Sequence, residues 1–319
     1  MNIEIIISDQ YVPYLNLAVE QSLVQNNPSD TVVMYLWKNQ RTVVIGLNQN
    51  PYTECQVETL LAEGGYLMRR MTGGGAVYHD LENLNFSFVA PKKLYDQTKQ
   101  FSVIQKAVRR FGIESELSGR NDLLCHGRKF SGNAFSVGKN NLLHHGTILI
   151  RTETEKLQRY LKVKSSKLQK HGVKSVSSRV VNLSELAPVT AENIVPALTA
   201  AFQEVYGTKA LFRDFNELCT AEVRKQAENF ADESFLFGKW KHFHAQRTAS
   251  FAWGEVEIDM EIDETEHIVR QVEIATDCLQ LQEIERARSM LTGASWNNLP
   301  DLSHESGIVQ DIFHLVFSE

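Results

Sequence analysis

Two stretches of the chain carry residue types suited to handling an anion. In Arg69-Arg70-Met71-Thr72-Gly73-Gly74-Gly75-Ala76-Val77-Tyr78-His79-Asp80, two arginines run into three consecutive glycines. Three glycines give up side-chain packing and rigidity. In return, backbone N–H groups can approach a ligand closely, in a concave arrangement that favours negative charge. The arginines add fixed charge and paired donors beside it. The plain alternative is a glycine-rich hairpin with two solvated arginines. The spacing fits neither Gly-x-x-x-x-Gly-Lys-Ser/Thr nor a strand-to-helix Gly-x-Gly-x-x-Gly unit, so a bound nucleotide or acyl phosphate would need another fold. The second stretch is Gly119-Arg120-Asn121-Asp122, followed by Gly127-Arg128-Lys129-Phe130-Ser131-Gly132-Asn133-Ala134. Lys129 stands between glycines on a strand-like run, where an ammonium can deliver a point charge to a phosphate or carboxylate. Asp122 could orient that lysine or hold Mg²⁺, and a surface hairpin with scattered charge is the competing reading.

Hydrophobic periodicity supplies the elements that must position these stretches. Strands are expected at 3–7, 32–37 and 42–47, the last two joined by a turn at 38–41, with a helix over 14–25. Asn50-Pro51 breaks regular structure, and a short helix covers 57–63. Strands at 66–70 and 85–90 lead into and out of the glycine loop. A helix over 98–111 puts Phe101, Ile104, Val108 and Phe111 on one stripe, and strand-like pieces follow at 123–126, 129–137 and 145–150. From Arg159 to Arg179 every charged side chain is basic, and the stretch reads as a mobile loop. Thr190 N-caps a further helix that Gly207 stops.

A second unit begins near residue 244. There Val256, Ile258, Met260 and Ile262 alternate with Glu255, Glu257, Asp259, Glu261 and Asp263, a strand with one buried and one acidic face. The acidic face reads as a solvated exterior. The expectation is an α+β fold, with mixed and antiparallel sheets flanked by helices, divided into domains at 1–243 and 244–319.

With 319 residues, 43% hydrophobic and 23% charged, the chain has the composition of an ordinary globular protein of two domains. No apolar run approaches the roughly 20 residues that span a bilayer, so no membrane association is expected. The net charge of −6 argues against nucleic acid as the main partner. Cys55, Cys125, Cys219 and Cys278 are too scattered for a zinc site or disulfide framework and read as reduced thiols in the cytoplasm.

Taken in order, these motifs resemble the lipoate–protein ligase A family. The likeness rests on Arg-Arg-x-Thr-Gly-Gly-Gly-Ala-Val-Tyr-His-Asp, Gly119-Arg120-Asn121-Asp122, Lys129-x-Ser-Gly-Asn-Ala and His145-Gly146-Thr147. It extends to Asn16-Leu17-Ala18-Val19-Glu20, to Val43-Val44-Ile45-Gly46 and to Ser175-Val176 through Leu183, and Trp253-Gly254 is similar to the start of the family's small C-terminal domain. The resemblance implies a catalytic fold shared with biotin–protein ligase and class II aminoacyl-tRNA synthetases. It also implies a reaction in which lipoate and ATP, with Mg²⁺, give lipoyl-AMP and pyrophosphate. A lysine of an acceptor then takes the lipoyl group, the acceptor being an E2 lipoyl domain or glycine-cleavage H protein. By position it assigns Arg70, Gly73, Gly74, Gly75, Ala76, Val77, Tyr78, Asn121, Asp122, Lys129, Lys174 and Arg179 to ATP and lipoyl-AMP, with Lys129 catalytic and Asp122 a possible metal ligand. Trp37, Thr72, Asn83 and His145 fall to the lipoate pocket. Residues 162–179 match an adenylate-covering loop, and a monomer is expected. Two departures stand out: Glu82 replaces a glycine, and Thr72 replaces a serine but keeps its hydroxyl.

A free carboxylate is a poor acyl donor, and adenylation makes it a mixed anhydride. Negative charge gathers on the α-phosphate in that step, where Lys129, glycine-loop amides and Mg²⁺ are the available stabilisers. An apolar acid such as lipoate or octanoate needs a greasy channel closed by cations, for which Trp37, Val44, Tyr78 and Phe86 are candidate walls. Two rivals remain at this point. One is an octanoyl or lipoyl transferase of the same fold acting through a thioester on Cys125. The other is a non-catalytic lipoate-binding protein.

Overall fold

The computed structural model describes residues 1–119, 121–162, 180–237, 245–263 and 266–317. The strands in chain order are β1 (Asn2–Ile7), β2 (Thr31–Trp37), β3 (Thr42–Ile45), β4 (Tyr66–Arg69), β5 (Val77–His79), β6 (Asn83–Pro91), β7 (Glu116–Leu117), β8 (Asp122–Cys125), β9 (Arg128–Val137), β10 (Asn141–Leu149), β11 (Leu211–Arg213), β12 (Ala245–Phe251), β13 (Gly254–Asp263) and β14 (Ile268–Thr276). They form a large mixed sheet in the order β11-β1-β2-β6-β10-β9-β8-β7, a small sheet β4-β3-β5 and a C-terminal meander β12-β13-β14. The fold is α+β, as the periodicity suggests.

The large sheet is covered on both faces. Against one face lie the helices Gln97–Arg109 and Ala191–Tyr206, whose Val103, Ile104, Leu198 and Phe202 pack with Phe86 and Phe88 of β6. Thr190 caps the second helix through a box completed by Asn193, and Gly207 ends it at φ 67°. Against the other face lie the helices Pro13–Asn26 and Ala221–Ala231 and the inner side of the small sheet, with Val44, Met68 and Val77 packed towards Tyr35 and Trp37. The site lies in the seam between the two sheets.

The pairing implied by the turn at 38–41 is absent. The runs at 32–37 and 42–47 enter different sheets: β2 lies between β1 and β6, and β3 between β4 and β5. Every residue of β2 and β3 is buried. Each strand therefore needs cover on both faces, which a hairpin at a sheet edge would not supply. The glycine stretch is likewise no hairpin, because β4 pairs parallel with one side of β3 and β5 antiparallel with the other. The loop crosses the end of β3 instead.

The C-terminal unit has its own core, in which Val256, Ile258 and Met260 of β13 meet Ile284, Leu291 and Phe313 of the helices Leu281–Leu291 and Gly307–Phe317. The expected boundary at 243/244 lies outside the described residues. The acidic face of β13 is the solvated exterior that alternation suggests only in part: Glu255, Asp259, Glu261 and Asp263 stay partly exposed, and Glu257 does not. Glu257 is 5% exposed and accepts from Gln246 Nε2 at 2.9 Å and from Asn50 Nδ2 at 3.4 Å. Thr276 N–H donates to the Asn48 carbonyl at 2.9 Å. Alternation tells which residues share a face, but not whether water or another unit covers it. No described helix is long and apolar enough to cross a membrane.

Candidate functional site

Strand register lays a line of residues across the large sheet on its seam side. Trp37 of β2 stands opposite Asn85 of β6, which stands opposite Thr147 of β10. Thr147 Oγ1 accepts from the Gly132 N–H of β9 at 3.3 Å, and Gly132 stands opposite Asp122 of β8. A parallel line runs Tyr35, Ser87, His145, Ala134. Between Gly132 and Trp37 lie three strand spacings, about 14 Å.

Lys129 closes one end of this line. A bulge between Leu123 and Leu124 shifts the pairing so that Lys129 lies across from Leu124. Its ammonium folds back over Gly132 to meet Asp122 Oδ1 at 2.8 Å. Both side chains keep about a third of their surface in water, 34% for Lys129 and 31% for Asp122. Asp122 therefore orients the lysine. Among the described residues no group of three His, Cys, Asp or Glu could hold a metal. Asn121 exchanges hydrogen bonds with Asn133: its Nδ2 donates to the Asn133 carbonyl, and its own carbonyl accepts from Asn133 Nδ2 at 2.8 Å.

At the closed end two hydrogen-bonded branches converge on Glu20 Oε1. Trp37 Nε1 donates to Ser87 Oγ at 2.9 Å, and Ser87 Oγ donates to Glu20 Oε1 at 2.5 Å. His145 Nδ1 meets the same carboxylate oxygen at 2.8 Å, which makes Nδ1 the donor. His145 Nε2 in turn meets Thr72 Oγ1 at 2.8 Å, and Thr72 Oγ1 accepts from Arg70 Nε at 3.1 Å. The hydroxyl kept at position 72 thus joins the glycine loop to the large sheet. Glu20 and Ser87 were not singled out for a role. Asn16 and Glu20, polar and one turn apart on the buried side of a helix otherwise lined by Leu17, Val19 and Leu23, are the available signal.

The two arginines act differently from solvated donors. Arg69 donates to the carbonyls of Leu47, Gln49 and Leu236 at 2.9, 2.7 and 2.6 Å, tying the end of the small sheet to the helix Glu233–Phe237. Arg70 donates through Nη2 to the carbonyls of Gly73 and Gly75 at 2.7 and 2.9 Å and so shapes the loop. Burial lowers the Arg70 pKa to about 10, with Glu20 opposing the shift, and the Arg69 pKa to about 10, with Glu273 opposing. Arg70 therefore places positive charge under the loop as a field, with its fork occupied by the loop itself.

Each of the three glycines meets a different demand. Gly73 lies against the carbonyl of Cys278, so a side chain there would strike the C-terminal unit. Gly74 has φ +95°, and an added carbon would meet Arg70 Nη2 at 2.8 Å. Gly75 faces open space and is the one free to approach a ligand. Ala76 and Val77 follow, Val77 with its side chain in the seam.

Several expected positions need correction. Tyr78 turns away from the seam: its ring packs on Tyr160 at 5.5 Å in a core with Val43 and Ile45, so only its backbone can serve a ligand. Phe86 lies on the opposite face of the large sheet, against Phe88 and His144, and cannot line the seam. On β6 it is Asn83, Asn85 and Ser87 that face inward, because side chains alternate. Cys125 packs in the main core, and burial pushes its thiol pKa up. Lys174 and Arg179, with most of the basic stretch, lie outside the described residues.

The family described as lipoyl protein ligase A/B catalytic domain matches residues 12–203. The chain is 36% identical to a lipoate-protein ligase A of Bdellovibrio bacteriovorus, over 92% of this chain and 88% of that protein. This chain belongs to the lipoate–protein ligase A family. Its fold is similar to that of P. falciparum LipL1 in complex with lipoate, with TM-score 0.84 and 26% identity over the whole of both chains. It is similar also to a lipoate-protein ligase A bound with ATP, with TM-score 0.61 and 25% identity, covering 75% of this chain and 98% of that one. Thr72 and Glu82 fall at the relay and at the exit of the loop. Glu82 accepts at its carbonyl from Ile150 N–H at 3.1 Å and pairs through its carboxylate with Arg151 at 3.3 Å. Position 82 therefore fastens the loop exit to the end of β10.

Proposed function

We propose that this chain is an ATP-dependent lipoate–protein ligase that forms lipoyl-AMP and passes the lipoyl group to a lysine of an acceptor protein. The observation carrying this reading is the line from Lys129 to Trp37. It has a cation at the open end, a closed apolar and hydrogen-bonded far end, and the length of an acyl chain with a small ring. In the first half-reaction the lipoate carboxylate oxygen attacks the α-phosphorus of ATP, and pyrophosphate leaves with the bonding pair. Lys129, held by Asp122, faces the charge that gathers on the α-phosphate, as do N–H groups of Gly75, Ala76 and Val77. Arg70 supplies its field from beneath the loop. One such donor is typically worth about 3–4 kcal/mol in a site shielded from water. In the second half-reaction the acceptor's lysine amine attacks the lipoyl carbonyl, AMP leaves, and an amide remains.

Mg²⁺ commonly takes one or two protein carboxylates and completes its shell from phosphates and water. The set here fits that pattern, with Asp122 the carboxylate at the open end, and the ion would neutralise phosphate charge there. Lys174 and Arg179 are assigned to cover the adenylate. The acceptor is an E2 lipoyl domain or H protein. The thioester alternative is disfavoured by the burial of Cys125 in the core, away from the seam. The test is pyrophosphate release requiring both lipoate and ATP, followed by mass gain on an acceptor domain. Lys129→Ala should lose the release while keeping the fold, and undiminished release by that variant would refute the assignment.

A further inference from the structure

A hydrogen-bond chain running from β2 and the first helix to β5 ends in a buried donor without a partner, on a ring that meets Trp37. Ser8 Oγ and Tyr35 Oη donate to Asn16 Oδ1 at 2.7 and 2.9 Å, which turns the Asn16 amide nitrogen towards Asn39. Asn16 Nδ2 donates to Asn39 Oδ1 at 3.1 Å, so Asn39 presents its nitrogen to His79 Nδ1 at 3.3 Å. Nδ1 is thereby the acceptor, and the ring proton sits on Nε2. His79 is 3% exposed, and Nε2 has no partner. Burial, then Arg70 and His145, lowers the imidazole pKa to about 3, so the ring is neutral and Nε2 remains a donor at ordinary pH. His79 shares the inner side of β5 with Val77, and its ring meets Trp37 edge-on at 6.3 Å, at the end of the line remote from Lys129. Close by on β6, Asn83 Nδ2 donates to Asn85 Oδ1 at 2.9 Å, leaving Asn83 Oδ1 and Asn85 Nδ2 unpaired and buried.

From this we infer that His79 is a specificity-determining residue: its Nε2–H donates to a ring sulfur of the acyl substrate, so the deep end of the seam selects a sulfur-bearing ring over a hydrocarbon one. The inference rests on the lipoate reading above. Sulfur is a weak but real acceptor. A saturated chain such as octanoate offers none and leaves a buried N–H unpaired, which is costly. Shape alone would not make this distinction, because a ring methylene and a ring sulfur fill similar space.

The experiment is calorimetric binding of lipoate and of its carbon isostere, cyclopentyl-pentanoate, to the full chain. Wild type should bind lipoate about tenfold more tightly, the scale of one unpaired buried donor. His79→Met should bring the two affinities together, and His79→Gln should retain most of the preference by supplying an amide N–H. Equal affinity of wild type for the two acids would overturn the inference, as would an undiminished preference in folded His79→Met. An ordered water capping Nε2 would give that equal affinity. Failure to bind either acid would instead refute the lipoate reading. The wild-type comparison requires no variant to fold.

Discussion

Gly132→Ala displaces the Lys129 ammonium without removing it. A β-carbon at position 132 would lie 2.6 Å from Lys129 Nζ and 2.7 Å from Cε, and 3.8 Å from Asp122 Oδ1. Relaxed contact needs about 3.5–4 Å, so the ammonium must retreat by about 1 Å. In a site that works by placed charge, a misplacement of that size costs about a hundredfold in rate. That corresponds to about 2.7 kcal/mol of transition-state stabilisation. The fold should not suffer. The displaced atoms are the end of a flexible side chain, and Gly132 is not among the residues with positive φ. Gly→Ala at a compatible position contributes about 0.4–1 kcal/mol of stability by restricting the unfolded chain. The expected signature is an unchanged or higher urea midpoint together with a roughly hundredfold slower lipoate-dependent pyrophosphate release. A folded variant releasing pyrophosphate at close to the wild-type rate would refute the placement of Lys129 over Gly132, with Lys129→Ala as the floor of the assay.

Thr72→Val keeps the volume but takes away the hydroxyl that His145 Nε2 and Arg70 Nε share, so unfolding stability should drop by about 1–3 kcal/mol; a change near zero would mean the relay is not formed. Thr72→Ser, which keeps the hydroxyl, should retain ligation. Cys125→Ala should retain most activity, because the thiol is a core group; an acyl-enzyme trapped on Cys125 would contradict this. Gly73→Ala should disturb the seat of the C-terminal unit, read as faster amide exchange around Cys278 and Leu279, while exchange in the helix Gln97–Arg109 stays as in wild type. The burial that holds His79 at about 3 makes the unfolded chain bind the extra proton between pH 3 and 6.5. That contribution to stability is therefore lost as pH falls through this window, by about 1.4 kcal/mol per unit for this group. His79→Gln should give a shallower decline, and an identical slope would contradict the burial argument.

Much of the candidate site is legible in the chain because its markers are local. A glycine triplet after two arginines, a lysine between glycines and an aspartate seven residues before it are one-dimensional signals, and the structure brings Lys129 and Asp122 together. Helix limits were equally local: Pro13 begins the first helix, and the Thr190 cap and Gly207 bound another. Pairing was not local. Short buried strands such as β2 and β3 have no polar alternation to tell which neighbour covers them, and so two sheets looked like one hairpin.

What the sequence determined by itself is most of the elements up to Gly207, the α+β class and the residue types at the open end of the seam; the strands β5, β11 and β12 and the helix Ala221–Ala231 were not read from it. The features it did determine depend on propensity, caps and spacing within a few residues. Only the tertiary structure decided which side of a strand meets the ligand: register sends Asn85 inward and Phe86 outward, although both lie on β6. It also decided what each polar group is paired with. Arg70 bonds its own loop, Gly73 meets the C-terminal unit, and Glu257 is covered by Asn50 and Gln246. The His79 tautomer needs four residues from separate elements, Tyr35, Asn16, Asn39 and His79, aligned donor to acceptor. Hydrogen-bond direction and desolvation arise from contacts between segments far apart in the chain, so they come into existence only when the fold closes.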